Sequence, residues 1–205
     1  GSIKNHLHNG AEGKIAETPK PGDTLFQDQT NLVIAGIQDA IRGGVDQALQ
    51  EGLKSRALPD PLEGEARLAG RRLAEILCHA SLSSPQNSQC LIAGGETTVT
   101  LTNTAKTGKG GRNLELALAA VRQLAGYKDV ALVTLATDGE DGVTDAAGAV
   151  VTGDTLARAE ALGLNPDVFL VNHDSYSFFH SLDDLLLPGV SGTNVNDLCF
   201  LFSIK

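Results

Sequence analysis

The 205-residue chain predicts an α/β fold, a three-layer α/β/α arrangement around a mixed, mostly parallel sheet. Two observations carry this expectation. Short apolar runs, such as residues 130–135 and 198–202, alternate with stretches of helical apolar spacing, and such alternation places helices on the faces of a sheet. The runs 90–93 and 97–102 are too closely linked for a crossover, so at least one antiparallel pair makes the sheet mixed.

Residues 1–22 are rich in breakers, with Pro19 and Pro21, and read as an exposed lead-in or the end of a preceding domain. Residues 31–35 (Asn-Leu-Val-Ile-Ala) form an apolar run that ends in Gly36 and predicts a buried strand. Ile37, Ala40, Ile41, Val45, Ala48 and Leu49 then recur at helical spacing and stop at Gly52, as a helix C-terminus does. A short strand over 56–58 precedes Pro59-Asp-Pro61. A second helix over 63–80 places Ala66, Ala69, Leu73, Ile76 and Leu77 on one face. The polar stretch 81–89, with Pro85, marks a boundary. The chain is thus divided into the lead-in 1–22, a βα(βα) segment 23–84 packing onto the main sheet, and a main α/β domain 85–205.

In that domain, 90–93 and 97–102 read as strands. Residues 113–125 read as a helix with Leu114, Ala117, Leu118, Val121, Leu124 and Ala125 at helical spacing. The run 130–135 has the composition of a central strand covered on both faces. A Gly/Asp loop follows, then a helix over 155–162, a buried strand over 168–171, a helix over 175–182 and a last strand over 198–202.

Lys and Arg number 16 against 25 Asp and Glu, a net charge of −9 that argues against a nucleic-acid footprint. Only 4% of residues are aromatic, so Leu, Val, Ile and Ala must build the core. No apolar run approaches the roughly 20 residues of a membrane helix, and no signal peptide is legible. Cys78, Cys90 and Cys199, an odd number without CxxC spacing, read as reduced core thiols of a cytoplasmic protein, with neither a disulfide frame nor a zinc site. There is no Met, even at position 1, where Gly1-Ser2 reads as a remnant of tag cleavage. The chain is therefore expected to be a piece of a longer protein.

Ligands of open α/β sheets sit beyond the carboxyl ends of strands, which directs attention to four polar loops. Residues 106–113 (Lys-Thr-Gly-Lys-Gly-Gly-Arg-Asn) open a helix. Glycines permit close backbone approach, a helix N-terminus offers N–H groups, and Lys109 and Arg112 add charge, so Lys109, Gly110, Gly111, Arg112 and Asn113 form a candidate anion cradle. It is neither a Walker motif nor GxGxxG, and a plain flexible loop with a helix start is the alternative. Residues 137–145 carry Asp138, Asp141 and Asp145, carboxylates for Mg²⁺ or for a general base. An acidic helix-capping turn is the alternative. Residues 93–98 offer Gly94, Gly95, Glu96, Thr97 and Thr98 at a strand end, or a tight turn. The fourth group joins residues 172–175 (Asn172, His173, Asp174 and Ser175) to Thr193, Asn194, Asn196 and Asp197, suited to hydroxyl and carboxylate recognition or to caps and turns. His6, His8, His79 and His180 have no triad or metal spacing.

Five segments in order, GGETTVT (94–100), GKGGRN-ELALA (108–113 and 115–119), ATDGEDGVTDAAGAVV (136–151), NHDSYSFF (172–179) and SGTNVNDL (191–198), resemble the C-terminal MOFRL domain of the glycerate 2-kinase family. ETPKPGD (17–23) and GEAR (64–67) resemble the tail of the preceding domain. The resemblance runs from Glu17 to the end of the chain. It implies an ATP- and Mg²⁺-dependent kinase that phosphorylates D-glycerate at its 2-hydroxyl, at an interdomain site of which this chain forms half. Arg112 matches the family's functionally important arginine, so Arg112 and Asp138 become the catalytic candidates and Asp138 and Asp141 the metal candidates. The catalytic lysine lies in the N-terminal domain, which leaves the isolated piece inactive and makes that domain a partner; a homodimer stays open. Two departures are Leu114, where the family commonly has Gln, and Ala35-Gly36-Ile37, where it has glycine-serine-asparagine.

Phosphoryl transfer depends on positioning and charge neutralisation, and the loops suit both. On this reading Arg112 faces an open crevice, and Arg112→Ala removes activity while leaving the fold intact. Two alternatives stand beside the kinase. A nicotinamide-dependent hydroxypyruvate reductase would need a GxGxxG fingerprint, which this chain lacks. A non-catalytic anion- or nucleotide-binding module is the other.

Overall fold

The structure, a computed structural model, describes residues 1–83, 86–101 and 108–204. It divides into two compact units, Gly1–Ile34 and Ala35–Lys205. The first holds helix α1 (Ser2–Ala11), which buries no residue, and a 3₁₀ turn (Thr24–Phe26) capped by Asp23, whose Oδ1 accepts from Leu25 N at 3.1 Å. The apolar run 31–35 is not a strand: it has no regular structure, and Val33 and Ile34 are 86% and 88% exposed. An apolar run becomes a buried strand only where neighbours supply ladder partners, and no described strand pairs with this one.

The second unit contains α2 (Ile37–Gln50), β1 (Lys54–Ala57), α3 (Ala66–Ser83), β2 (Gln89–Gly95), α4 (Arg112–Leu124), β3 (Val130–Ala136), β4 (Gly148–Thr152), α5 (Thr155–Ala161), α6 (Pro166–Val171), α7 (Ser175–Leu182), β5 (Leu185–Leu186) and β6 (Asp197–Ser203). The six strands form one sheet in the order β1-β2-β6-β3-β4-β5. Among the described strands only β1 and β2 run parallel; the other four pairings are antiparallel. The sheet is therefore mixed but mostly antiparallel, not mostly parallel. The cause is β6, which returns from the chain end to lie between β2 and β3, and β4, which folds straight back onto β3.

Two further elements differ from their sequence patterns. Residues 97–101 form no strand; Thr98 makes one isolated parallel bridge to Glu65, and Thr102 lies outside the described residues. Residues 168–171 belong to helix α6, because Asn165 Oδ1 accepts from Asp167 N at 3.0 Å and Pro166 occupies the first helical position.

Strand alternation sorts the core into two layers. On one face Leu91, Ala93, Leu132, Cys199 and Leu201 pack under α3, α4, α5, α6 and α7, with Phe178 and Phe179 fully buried. On the other, Cys90, Ile92 and Leu198 are covered by α2 through Ile41 and Ala48. Over β3 this second face is only half-buried at Ala131, Val133 and Leu135, so the strand is fully covered on one side alone. The three cysteines are buried free thiols. Among the described residues no helix is long and apolar enough to cross a membrane.

Candidate functional site

The start of α4 lies against the start of α7. Gly108 N donates to Asn172 O at 2.8 Å, Lys109 N to Asp174 Oδ1 at 3.0 Å, and Tyr176 N to Lys109 O at 3.0 Å. These contacts explain the glycines. A Cβ at Gly108 would lie 2.2 Å from Asp174 Cβ, one at Gly110 2.4 Å from Ser175 Oγ, and one at Gly111 2.3 Å from Asp141 Cγ. The close approach expected of a ligand is made by the protein's own side chains. Lys106 and Thr107 of the predicted loop lie outside the described residues.

The helix N-terminus is likewise occupied from within. Asp141, 1% exposed, accepts from Asn113 N at 3.1 Å and Leu114 N at 2.8 Å, one oxygen to each amide. A carboxylate is favourable at this positive helix end. Burial nevertheless pushes its pKa up to about 6, against the pull of the two amides. With both oxygens engaged, Asp141 fits a helix cap better than the metal ligand expected of it. Lys109 Nζ lies 3.5 Å from Asp145 Oδ1 and 3.7 Å from the Tyr176 ring centroid.

Arg112 is held by a fork. Its Nε donates to Asp197 Oδ2 at 2.6 Å and one terminal nitrogen to Asp197 Oδ1 at 3.1 Å. The other terminal nitrogen lies 3.5 Å from Glu96 Oε1. Asp197 is 1% exposed and stands opposite Gly95 and Ala136, so the ends of β2, β6 and β3 meet beneath the guanidinium. The arginine is thus ion-paired internally, contrary to the free group expected. It is still 30% exposed and lines a cleft of about 580 Å³ with Thr97, Thr98, Gly110, Gly111, Val143 and His173.

Asp138, half-buried, joins the 137–141 turn to the 191–197 turn. Its Oδ1 accepts from Glu140 N at 3.2 Å and its Oδ2 from Asn194 Nδ2 at 3.3 Å; Ser191 N donates to its carbonyl at 2.9 Å. Asn196, at φ 69°, accepts Thr137 N (3.1 Å) and Thr137 Oγ1 (2.7 Å) on its carbonyl, and Thr193 N donates to Ser191 Oγ at 3.1 Å. Among the described residues no group of three or more His, Cys, Asp or Glu could hold a metal ion.

The remaining candidates have structural duties. Gly94 lies under Ile37 and Ile41 of α2, and Gly95, at φ 151°, touches Leu62. Glu96 is exposed, Thr97 is buried, and Thr98 donates to Gly64 O at 3.2 Å. Asp174 Oδ1 also accepts from Ser177 Oγ at 2.7 Å. Ser175 Oγ and Asn113 Nδ2 are buried beside the cradle without a hydrogen-bond partner among the described residues.

Glu115 and Arg67 escaped the sequence reading, and His173, within the fourth loop, was given no role of its own. Glu115, buried on α4, binds Arg67 of α3 (Nε to Oε1, 2.9 Å, with a terminal nitrogen against the same oxygen) and His173 Nδ1 (Oε2, 2.9 Å). Arg67 also donates to Leu170 O at 3.2 Å. The available signal was a carboxylate between Leu114 and Leu116 on an apolar helix, since a buried charge requires a partner.

Residues 89–197 match the model of the MOFRL family. A D-glycerate 2-kinase of Thermotoga maritima is 39% identical over 186 residues, covering 90% of this chain and 43% of the kinase. A protein of Agrobacterium vitis provisionally named hydroxypyruvate reductase is 38% identical over 187 residues, covering 89% of this chain and 41% of its own. The crystal structure of a glycerate kinase from Thermotoga maritima superposes with a TM-score of 0.79 at 38% identity, covering 83% of this chain and 41% of that one. The chain spans less than half the length of each.

Proposed function

We propose, from the premise that this chain belongs to the MOFRL family and is related to glycerate 2-kinases, that it forms the C-terminal part of an ATP-dependent glycerate 2-kinase. It would contribute one wall of the site where the γ-phosphoryl group passes to the 2-hydroxyl of D-glycerate. The observation that carries this reading is the guanidinium of Arg112, set in one plane by a buried carboxylate on the wall of an open cleft.

Phosphoryl transfer asks the protein for fixed positive charge where negative charge develops. Asp197 holds two nitrogens of Arg112, while the third, among the described residues, meets the exposed Glu96 at 3.5 Å. An anionic oxygen of either reactant can replace Glu96 there without disturbing the Asp197 fork. The other described cations near the cleft are already paired, Lys109 with Asp145 and Arg67 with Glu115. Neutralising a triphosphate thus requires further cations, which we assign to the remainder of the enzyme. ATP enters as a substrate.

The test is an assay of the intact protein with ATP and D-glycerate, the product's phosphate position being read by ³¹P NMR, beside an arm with NADH and hydroxypyruvate. Formation of 2-phosphoglycerate supports the kinase. Oxidation of NADH without any phosphorylation overturns it in favour of the reductase.

A further inference from the structure

The same cleft as Arg112 is lined by Glu115 and His173, the two buried members of the triad Arg67, Glu115 and His173. His173 is 8% exposed and adopts a left-handed backbone, φ 49°. Its ring Nδ1 has two neighbours, Glu115 Oε2 at 2.9 Å and a terminal nitrogen of Arg67 at 3.4 Å. The shorter contact decides the tautomer. A carboxylate oxygen only accepts, so Nδ1 carries the proton and donates it to Glu115, whose other oxygen takes Arg67. In a neutral ring Nε2 is then the acceptor, and among the described residues it has no protein partner. A ring oriented by a carboxylate that is itself anchored is a device for presenting one nitrogen to a ligand. The uncommon backbone conformation places it there.

We infer that His173 recognises a substrate hydroxyl in this cleft: Nε2 accepts a hydrogen bond from it, and Glu115 and Arg67 act as positioning residues. The inference rests on the kinase reading for the identity of that group, the 2-hydroxyl of a small 2-hydroxy acid. A 2-keto acid offers no donor at that carbon and is disfavoured.

The experiment is steady-state kinetics of the intact enzyme. His173→Leu should raise KM for D-glycerate about tenfold, the loss of one hydrogen bond, with KM for ATP unchanged. His173→Asn, whose amide oxygen can accept, should recover most of that loss, which a merely space-filling role would not explain. Inhibition by hydroxypyruvate should not weaken in His173→Leu. An unchanged KM for D-glycerate in His173→Leu overturns the inference and leaves the kinase standing. Absence of D-glycerate phosphorylation by the wild-type enzyme overturns the kinase instead. Ring ¹⁵N spectra of the wild-type protein decide the tautomer without any variant that must fold: the Nδ1–H form supports the assignment, the Nε2–H form refutes it.

Discussion

Replacing Arg112 by alanine leaves the Asp197 carboxylate, 1% exposed, at the junction of three strands with no cation beside it. Removing one partner of a buried ion pair costs about 3–5 kcal/mol. The lower end applies here, about 3 kcal/mol, because Arg112 itself is 30% exposed and its removal admits water to the carboxylate. Asp197→Asn should cost less, about 1 kcal/mol, since the amide still accepts one hydrogen bond and the guanidinium can turn toward Glu96 and solvent. Arg112→Ala combined with Asp197→Asn should cost less than the sum of the two single losses, a coupling visible in a double-mutant cycle. Urea unfolding of this chain reads all three. If Arg112→Ala unfolds within about 0.5 kcal/mol of the parent, within the range of an ordinary surface change, the fork contributes nothing and the reasoning fails. The structure thus replaces the expectation that this substitution spares the fold.

Other outcomes follow from the same contacts. Asp141 has an ordinary value of 3.8 and a folded value of about 6, so the folded chain binds that proton more tightly than the unfolded one. Its contribution to stability is therefore greatest at low pH and is lost as pH rises from about 4 to about 6, by about 3 kcal/mol. Asp141→Asn should remove that component, and parallel stability–pH curves for the two proteins would contradict the burial argument. Leu116→Ala empties a fully buried site on α4 and should cost about 2–5 kcal/mol in urea unfolding; a loss under 1 kcal/mol would mean the helix is not packed as described. Mg²⁺ or a chelator should leave the melting temperature of this chain unchanged, because its described residues gather no group of three or more His, Cys, Asp or Glu that could hold a metal ion. A Mg²⁺-dependent rise would reveal a site among its carboxylates.

Periodicity was enough to locate α2, α4, β3 and β6; α4 buries its apolar face throughout, whereas in α2 Ile41 and Ala48 are buried but Leu49 is 51% exposed, and β3 is half-buried on alternate residues. The strand order was beyond it. Nothing in Asp197–Ser203 says that this strand inserts between β2 and β3, since pairing is decided by contacts distant in sequence. Residues 31–35 and 168–171 show the limit of short apolar runs, which fit a strand or a helix equally. In the second, Asn165-Pro166 was the overlooked helix-start signal. At the site, the sequence located the loops but not their internal closure. The glycines of 108–111 and the helix start suggested a vacant anion cradle, yet Asp141, from another loop, sits against those amides, and Asp197 takes Arg112. A loop's composition does not reveal that its counter-charge arrives from 28 or 85 residues away.

The account depends most on Arg112 meeting the reacting anion, and Arg112→Lys in the intact enzyme tests this directly. Lysine keeps a charge beside Asp197 but cannot hold it with a fork and still present a third edge. With the urea midpoint checked in parallel, kcat/KM for ATP-dependent phosphorylation of D-glycerate should fall by roughly 100-fold or more. A value within about threefold of wild type, a difference of only about 0.7 kcal/mol, would show that the guanidinium serves the fold alone.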